Sequence, residues 1–514
     1  MTGNDKEPQV VIVGGGPVGL VLAAELAGFG IRTVVLEART EVSRRPKATT
    51  LHARTVQCLQ RRGHLPARVG PPAATHWASP FHFAGMSGLT ITAPATEPEP
   101  LLKCPQEDLE RHFEERALAA GARILRDHRV TAIQPSRDAV RVEAEGPSGR
   151  LSCTADYVVG ADGARSTVRE HAGIGSQSFP ATISALAGDV RLADEGALRP
   201  GWHRTPRGWV IVKDAGGGVV RLRTLNCSGP HPARHLPVTL AEFRHEVSWL
   251  VDRDVAMAEP EWLSRFSDFS RLASAYRAGR ILLAGDAAHV HFPIGGQGLS
   301  TGLLDGLNLG WKLALAVRGD ASDGLLDTYE QERRPAARRI IDNARAQLAL
   351  MRPGTEFDPL RDMFAGMLTE GPFGDALASM VSAQDTVLPS LTPRPSRWEG
   401  TFLNNAVVET AGGRTDVIGL LRDGRPLLLL SGTDREGHRR QAGPWQDQLH
   451  MVQVEATSAL PCDALLVRPD GYIAWSSGGD ALPSALAVYF GERRRARRPA
   501  PHGAAGRDLA DALS

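Results

Sequence analysis

Four apolar residues, Val10–Val13, run straight into Gly14-Gly15-Gly16-Pro17-Val18-Gly19. A short apolar run of this kind reads as a buried parallel strand. Pro17–Ala27 then reads as a helix, with Gly28 and Gly30 punctuating its end. Thr33–Leu36 is the next strand, and Glu37 closes it. The chain therefore opens as a βαβ unit with Gly14-x-Gly16-x-x-Gly19 at its first turn. Gly14 permits the tight turn, Gly16 lets the backbone approach a pyrophosphate, and Gly19 lets helix and strand pack closely. The helix end opened by Pro17 offers N–H donors and a favourable dipole to phosphates. Glu37, 18 residues after Gly19, stands where an acid holds a ribose hydroxyl. The glycine spacing alone would also suit a strand–helix turn with no ligand. Strand, helix and acid together make it a dinucleotide site.

A chain of 514 residues is too long for one ordinary core, so two or three domains are expected. Its 42% hydrophobic and 23% charged residues describe a soluble globular protein. A net charge of +1 gives no electrostatic case for nucleic acid or for an anionic membrane. Met1 to Pro8 is polar, and the apolar run after it is broken by glycines. It is neither a signal peptide nor a membrane span, and the cytoplasm is the expected location. The five cysteines are scattered and form no C-x-x-C pair, which suits a reducing compartment and argues against a redox dithiol or zinc. His289 and His291 have no matching acidic or third histidine partner nearby in sequence, so no metal is expected.

Leu109–Ala120 reads as an amphipathic helix. Val130–Ile133, Ala139–Glu143 and Tyr157–Val159 read as strands, the last feeding Gly160-Ala161-Asp162-Gly163. Residues 181–278 alternate, as in Trp209–Val212 and Val219–Leu225, and suit an antiparallel sheet over a substrate pocket. Ile281–Ala284 returns to a buried strand, and Leu299–Val317 is a long helix. Gly298, Gly302, Gly306 and Gly310 share one helix face and cost helix stability. Something must pack very close to them, and helix–sheet packing is the expected reason. Thr328–Met351 is an Arg-rich helix with a solvated charged face. Residues 352–400 are rich in Pro and Gly and read as a connector. A new unit begins near 401, with strands Pro426–Leu430 and Ala464–Val467. There Arg468-Pro469-Asp470-Gly471 reads as a turn into Tyr472–Trp475, and any surface turn would carry the same residues. The basic run Arg493 to Arg498 opens a tail expected to be poorly ordered.

Two further motifs give the glycine turn a family context. Gly160-Ala161-Asp162-Gly163-Ala164-Arg165-Ser166 resembles the DG motif of class A flavoprotein monooxygenases. Gly285-Asp286, with Pro293-Ile294-Gly295-Gly296-Gln297-Gly298, resembles their GD motif. Order and spacing match over roughly residues 8–350. The resemblance implies an α/β fold with a Rossmann-like FAD-binding domain of the glutathione-reductase type (1–75, 104–180 and 279–351). It further implies an inserted mixed β-sheet substrate domain (76–103 and 181–278), the connector (352–400), and a disordered tail (491–514). Residues 401–490 resemble the thioredoxin-like domain of phenol hydroxylases and aromatic-polyketide hydroxylases, without the C-x-x-C of a redox role.

By the same resemblance FAD binds non-covalently, with NADPH or NADH as a transient co-substrate. Gly14, Gly16, Pro17, Gly19, Glu37, Ala38 and Arg39 would serve its adenosine and pyrophosphate end. Asp162 and Arg165 would belong to the segment linked to FAD and NAD(P)H. Lys47 and Gln106 would lie near the flavin. Gly285 and Asp286 would meet the ribityl chain, and Pro293 would lie by the ring. Backbone N–H groups of Gly295, Gly296, Gln297 and Gly298, with Leu299 following, would face N1/C2=O and stabilise the anionic reduced flavin. Position 47 is usually Arg in the family; Lys47 keeps the charge and loses the fork. Ser300 stands where Asn is common. His52 reads as a satisfied structural histidine rather than a pocket acid or base. Catalysis would be flavin-mediated, beside Pro293, Gly295 and Gly296, with no indispensable catalytic side chain.

The implied activity is FAD- and NAD(P)H-dependent hydroxylation of a polycyclic aromatic polyketide by O2 through a flavin C4a-hydroperoxide, in antibiotic biosynthesis. Simple phenols are the second substrate class. Baeyer–Villiger oxidation, rifamycin-type antibiotic hydroxylation and a non-catalytic antibiotic-binding role share the same motifs. A flavin halogenase would show W-x-W-x-I-P, which Trp202 and Trp209 do not form. The oligomeric state stays open.

Overall fold

The computed structural model describes residues 7–65, 77–232, 236–369, 371–455 and 457–492. The basic run Arg493 to Arg498 and the tail after it lie outside the described residues.

The apolar run Val10–Val13 is wholly buried because both faces of its strand are covered. It sits inside a six-stranded sheet ordered Arg277–Ala278, Ile281–Leu283, Tyr157–Gly160, Val10–Val13, Thr33–Glu37, Arg123–Arg126. Every pair is parallel except the first. Val10 pairs with Tyr157 on one side and with Thr33 on the other. The chain thus leaves Val10–Val13 toward one neighbour and later returns on the opposite side. In open α/β sheets the crevice beyond such a reversal, outside the strands' carboxyl ends, is where ligands bind. Gly14, Ala161 and Gly285 follow strand ends there, and Glu37 closes one. A separate antiparallel sheet of Arg129–Pro135, Val140–Gly146 and Gly149–Ala155 flanks this domain.

Gly302, Gly306 and Gly310 of helix Gly298–Arg318 face another helix, Pro17–Gly28, and not a sheet as expected from sequence, while Gly298 faces His291. A methyl on Gly302 would stand 2.7 Å from Val18 Cγ2, on Gly306 3.0 Å from Val21 Cγ1, and on Gly310 2.8 Å from Glu25 Cβ. The glycines leave room for the side chains of Val18, Val21 and Glu25 to lie directly on the backbone of the longer helix. Helix Asp327–Leu350 corrects a second expectation. Arg339 and Arg345 do reach solvent, but Glu332 and Arg333 are buried.

Residues 184–267 form a five-stranded antiparallel sheet, ordered Gly201–Thr205, Gly208–Gly216, Val219–Asn226, Ser184–Leu192, Met257–Ser267. Period-two alternation divides its faces. Leu186, Val190, Val210, Val212 and Leu222 pack beneath helix Leu240–Val251. Ala185, Trp209 and Leu225 join a cluster with Phe83, Phe292 and Ile294. The connector carries two helices, Asp358–Leu368 and Pro372–Val381, whose Leu368, Ala378 and Val381 enter that same cluster.

The last unit holds four strands in the order His450–Gln453, Leu427–Leu430, Ala464–Val467, Ile473–Ser476, the first pair parallel and the others antiparallel. Together with helices Arg435–Ala442 and Leu482–Phe490 this is the thioredoxin-like arrangement. Arg468-Pro469-Asp470-Gly471 is not a surface turn. Arg468 and Asp470 are each 3% exposed. Arg468 donates to both carboxylate oxygens of Glu332 at 2.8 Å and to Asp470 at 3.0 and 2.6 Å. Lys312 Nζ reaches Glu332 at 2.8 Å, and Asn308 bridges Glu332 and Asp470 at 2.7 and 3.2 Å. Burial pushes the Glu332 carboxyl up, but Arg468 and Lys312 outweigh it and bring it to about 2. The motif clamps the C-terminal unit onto helices Gly298–Arg318 and Asp327–Leu350.

Candidate active site

The three glycines of the first turn meet different surroundings. A methyl on Gly14 (φ +109°) would lie 2.3 Å from the Ala161 carbonyl oxygen, and one on Gly19 would lie 2.0 Å from that of Gly14. A methyl on Gly16 would meet nothing within 4 Å. The first and third glycines are thus required by the protein's own packing, and the second opens onto free space. Gly16 also caps helix Pro17–Gly28 with no side-chain hydrogen bond, so the first-turn N–H groups are left to a ligand. Buried Glu37 braces this loop. Its Oε2 accepts the Gly15 N–H at 2.6 Å and its Oε1 the Arg39 N–H at 2.9 Å. The half-buried Ala38 and exposed Arg39 follow at the rim.

Asp162 presses against Gly14, and its Oδ2 accepts the Val168 N–H at 3.1 Å. Its Oδ1 is buried without a hydrogen-bond partner among the described residues. Arg165 is exposed. The residue that links this segment to the second motif is Arg169, which donates to the Ala164 and Ala287 carbonyls at 3.2 and 2.9 Å.

The second motif hangs on a residue the sequence did not single out. Asp305, fully buried on the glycine-rich helix, accepts the Gly285 N–H at 3.0 Å. It also accepts His289 Nε2 at 2.7 Å and Arg333 Nε at 2.8 Å. His289 therefore does have an acidic partner, supplied by the helix rather than by its own loop. Burial opposes the Asp305 charge, but His289 and Arg333 hold its carboxyl below the usual carboxylate range. Asp286, between buried Gly285 and Ala287, is open to solvent, yet the surrounding protein raises its carboxyl against the pull of His289 and Lys47. Lys47 Nζ lies 3.8 Å from Glu110 Oε1, which accepts Gln106 Nε2 at 2.7 Å. Lys47, Gln106 and Asp286 thus converge on one edge.

Pro293 is exposed beside Gly295 and Gly296, two successive left-handed residues (φ +74° and +65°). Gln297 turns its side chain away from this loop, donating to the Val381 carbonyl at 2.9 Å and accepting Asn343 at 2.7 Å. Only its backbone stays available. Leu299 is half-buried, and Ser300 Oγ accepts the His52 N–H at 3.0 Å. His52 Nε2 donates to the Gly295 carbonyl at 2.8 Å. Beyond it an aromatic row crosses to the sheet: His52–Phe81 (5.3 Å), Phe81–His82 (4.9 Å), His82–Trp202 (4.5 Å) and Trp202–Trp209 (6.3 Å).

Burial lowers His52, His82 and His291 from 6.5 to about 4. The unfolded chain takes up these protons near 6.5, and the fold refuses them until about 4. Stability is therefore complete above pH 6.5 and falls as pH drops toward 4, by about 1.4 kcal/mol per pH unit per proton. Solvent screening at the half-buried His82 and His291 leaves fully buried His52 as the main contributor. The melting temperature is expected to be lower at pH 5 than at pH 7.5, and the drop to shrink in His52→Asn. A flat profile in the unaltered protein would contradict the buried neutral imidazole.

The sequence profile of the FAD binding domain family matches residues 7–344, and that of the aromatic-ring hydroxylase C-terminal domain matches residues 396–492. The chain belongs to the FAD-dependent aromatic hydroxylases. This hydroxylase is 36% identical over 502 residues to the 12-dehydrotetracycline 5-monooxygenase/anhydrotetracycline 6-monooxygenase of Streptomyces rimosus, covering 94% of this chain and 99% of the relative. It is 35% identical over 490 residues to the rifampicin monooxygenase of Streptomyces venezuelae, covering 94% and 98%. Among solved structures, CabE, an aromatic hydroxylase from angucycline biosynthesis, superposes with a TM-score of 0.87 at 36% identity over 95% of this chain and 100% of the other. The residues of the hydroxylase fit FAD: Gly16 opens onto free space, the helix end has uncapped donors, and Asp162 has an orphaned oxygen. Among the described residues no helix is long and apolar enough to cross a membrane.

Proposed function

We propose that this hydroxylase adds one oxygen atom from O2 to a planar polycyclic aromatic polyketide in the cytoplasm. The observation that carries the reading is the aromatic row from His52 to Trp209, which gives a flat, apolar molecule a wall beside Gly295 and Gly296. The tetracycline-named relative and the angucycline hydroxylase support the same substrate class. FAD, when bound and reduced by NAD(P)H, supplies the oxygen-activating chemistry. Gly16 and the Pro17 helix end bind the pyrophosphate, with Asp162 alongside. Glu37, with Ala38 and Arg39 after it, lines the adenosine ribose. Asp286, Lys47 and Gln106 serve the ribityl side. The backbone N–H groups of Gly295, Gly296 and Gly298 offer partial positive charge to the ring. Phe81, Trp202, Trp209 and Phe266 exclude water, and His52 holds the Gly295 carbonyl so that the loop keeps its shape.

Reduction of the flavin by NADPH under anaerobic conditions, with and without a panel of tetracyclic polyketides and simple phenols, tests this. Acceleration by a polycycle, followed in air by a product one oxygen heavier, is the expected result. A lactone product would make the reaction a Baeyer–Villiger insertion. Reduction that no polycycle accelerates would sink the reading. Asp286→Ala is expected to raise the dissociation constant for FAD about tenfold, as loss of one hydrogen bond to a charged group would. Unchanged affinity and reduction rate would remove the role given to Asp286.

A further inference from the structure

The substrate-facing side of the five-stranded sheet carries more positive charge than it neutralises. Alternation assigns the faces. Val210 and Val212 pack beneath helix Leu240–Val251, so Trp209, Ile211 and Lys213 point the other way. On the next strand Leu222 packs beneath that helix and Thr224 bonds to its Glu246, so Arg221, Arg223 and Leu225 share the substrate face. Arg221 is accounted for, with Asp189 on the adjoining strand accepting its guanidinium at 2.7 and 2.6 Å. Arg223 is not. Its register neighbours are Ile211 and Ala187, and among the described residues it makes no hydrogen bond or ion pair. Burial, and then repulsion from Arg221, depress its pKa, with Asp189 as the opposing pull. Lys103, from the other wall, donates to Thr50 Oγ1 at 2.9 Å. It lies close enough to His52 and His82 for its charge to disfavour theirs, and Lys213 does the same to Lys103.

Partly desolvated cations crowded together are costly unless a ligand brings the opposite charge. An arginine fork in particular matches a planar anion with two oxygens. Leu225 and Trp209 cluster with Phe292 and Ile294 of the flavin-side loop, and Arg223 stands two residues further along its strand, about 7 Å away.

We propose that Arg223, two residues along the strand from the paired Arg221, binds a two-oxygen anion of the substrate, a carboxylate or the ionised enol of a dicarbonyl, and so sets which ring of the polycycle reaches the flavin. The proposal rests on the polycyclic-substrate reading and narrows it to acidic polycycles. The test is calorimetric titration of the FAD-loaded enzyme with a dihydroxyanthraquinone carboxylate and with its uncharged hydroxymethyl counterpart. The enzyme is expected to bind the carboxylate at least about tenfold more tightly. Arg223→Met should remove that preference while keeping FAD content and affinity for the uncharged ring, and Arg223→Lys should keep part of it. Equal binding of both probes by the unaltered enzyme, or a preference that survives Arg223→Met, overturns the proposal and leaves the polycyclic reading standing. Displacement of the carboxylate probe by NADP+ would assign the cations to the nicotinamide cofactor and also overturn it. Binding of neither probe overturns both readings.

Discussion

Gly16→Val is expected to yield a folded protein that purifies without FAD. The methyl groups would enter the free space above the first turn, where no protein atom lies within 4 Å of a Cβ at this position. The fold therefore has nothing to lose there, and the pyrophosphate has nowhere to go. Its two partners in the motif should behave differently. Gly14→Ala forces a side chain onto a residue at φ +109° and against the Ala161 carbonyl, and Gly19→Ala drives a methyl to 2.0 Å from the Gly14 carbonyl. Both are expected to reduce soluble protein, because backbone at such distances must move. Flavin absorbance per mole of protein, read beside the far-ultraviolet circular dichroism, separates the two outcomes. A Gly16→Val protein that keeps stoichiometric FAD would show that the cofactor lies elsewhere.

Arg468→Ala should be the most destabilising change in the C-terminal unit, although it is far from the cofactor. It leaves Glu332 and Asp470, 4% and 3% exposed, with Lys312 as the cation in contact. Breaking a buried charge network by removing one partner costs about 3–5 kcal/mol. Tryptophan fluorescence during urea unfolding reads the effect directly, since Trp311 sits against the network and Trp445 and Trp475 lie in the adjoining core. A loss below about 1 kcal/mol would mean that water relieves the carboxylates and that the clamp contributes little.

These two sites were unequally legible in the sequence. The first turn could be read because its determinants are local: a strand, three glycines and an acid lie within 28 residues, from Val10 to Glu37. The alternating sheet of residues 184–267 was legible for the same reason. Arg468-Pro469-Asp470-Gly471 was legible as a turn but not as a buried one, because its partner Glu332 is 136 residues away and nothing near the motif announces burial. Asp305 escaped notice because a lone acid inside an apolar, glycine-spaced helix shows its purpose only once Gly285, His289 and Arg333 surround it. For Gln297 the expectation concerned its backbone N–H; that its side chain serves Val381 and Asn343 was not legible, because those partners come from helices folded from elsewhere. The connector hid two helices because proline and glycine mark helix starts as well as loops. Pro372 opens Pro372–Val381, and Gly371 before it takes φ +92°.

The bare contact between Pro17–Gly28 and Gly298–Arg318 bears on how such enzymes can be recombined. One helix begins at the first glycine turn and the other after the Gly295–Gly296 loop, and the Val18, Val21 and Glu25 side chains between them rest on bare glycines that leave no room for larger ones. A chimaera that takes these segments from different parents inherits two half-surfaces shaped for other partners, even when every motif is intact. Crossovers that keep both helices from one parent and exchange residues 181–278 leave that contact whole. The substrate-side sheet can then be exchanged between relatives without changing how the two glycine-bearing loops are spaced.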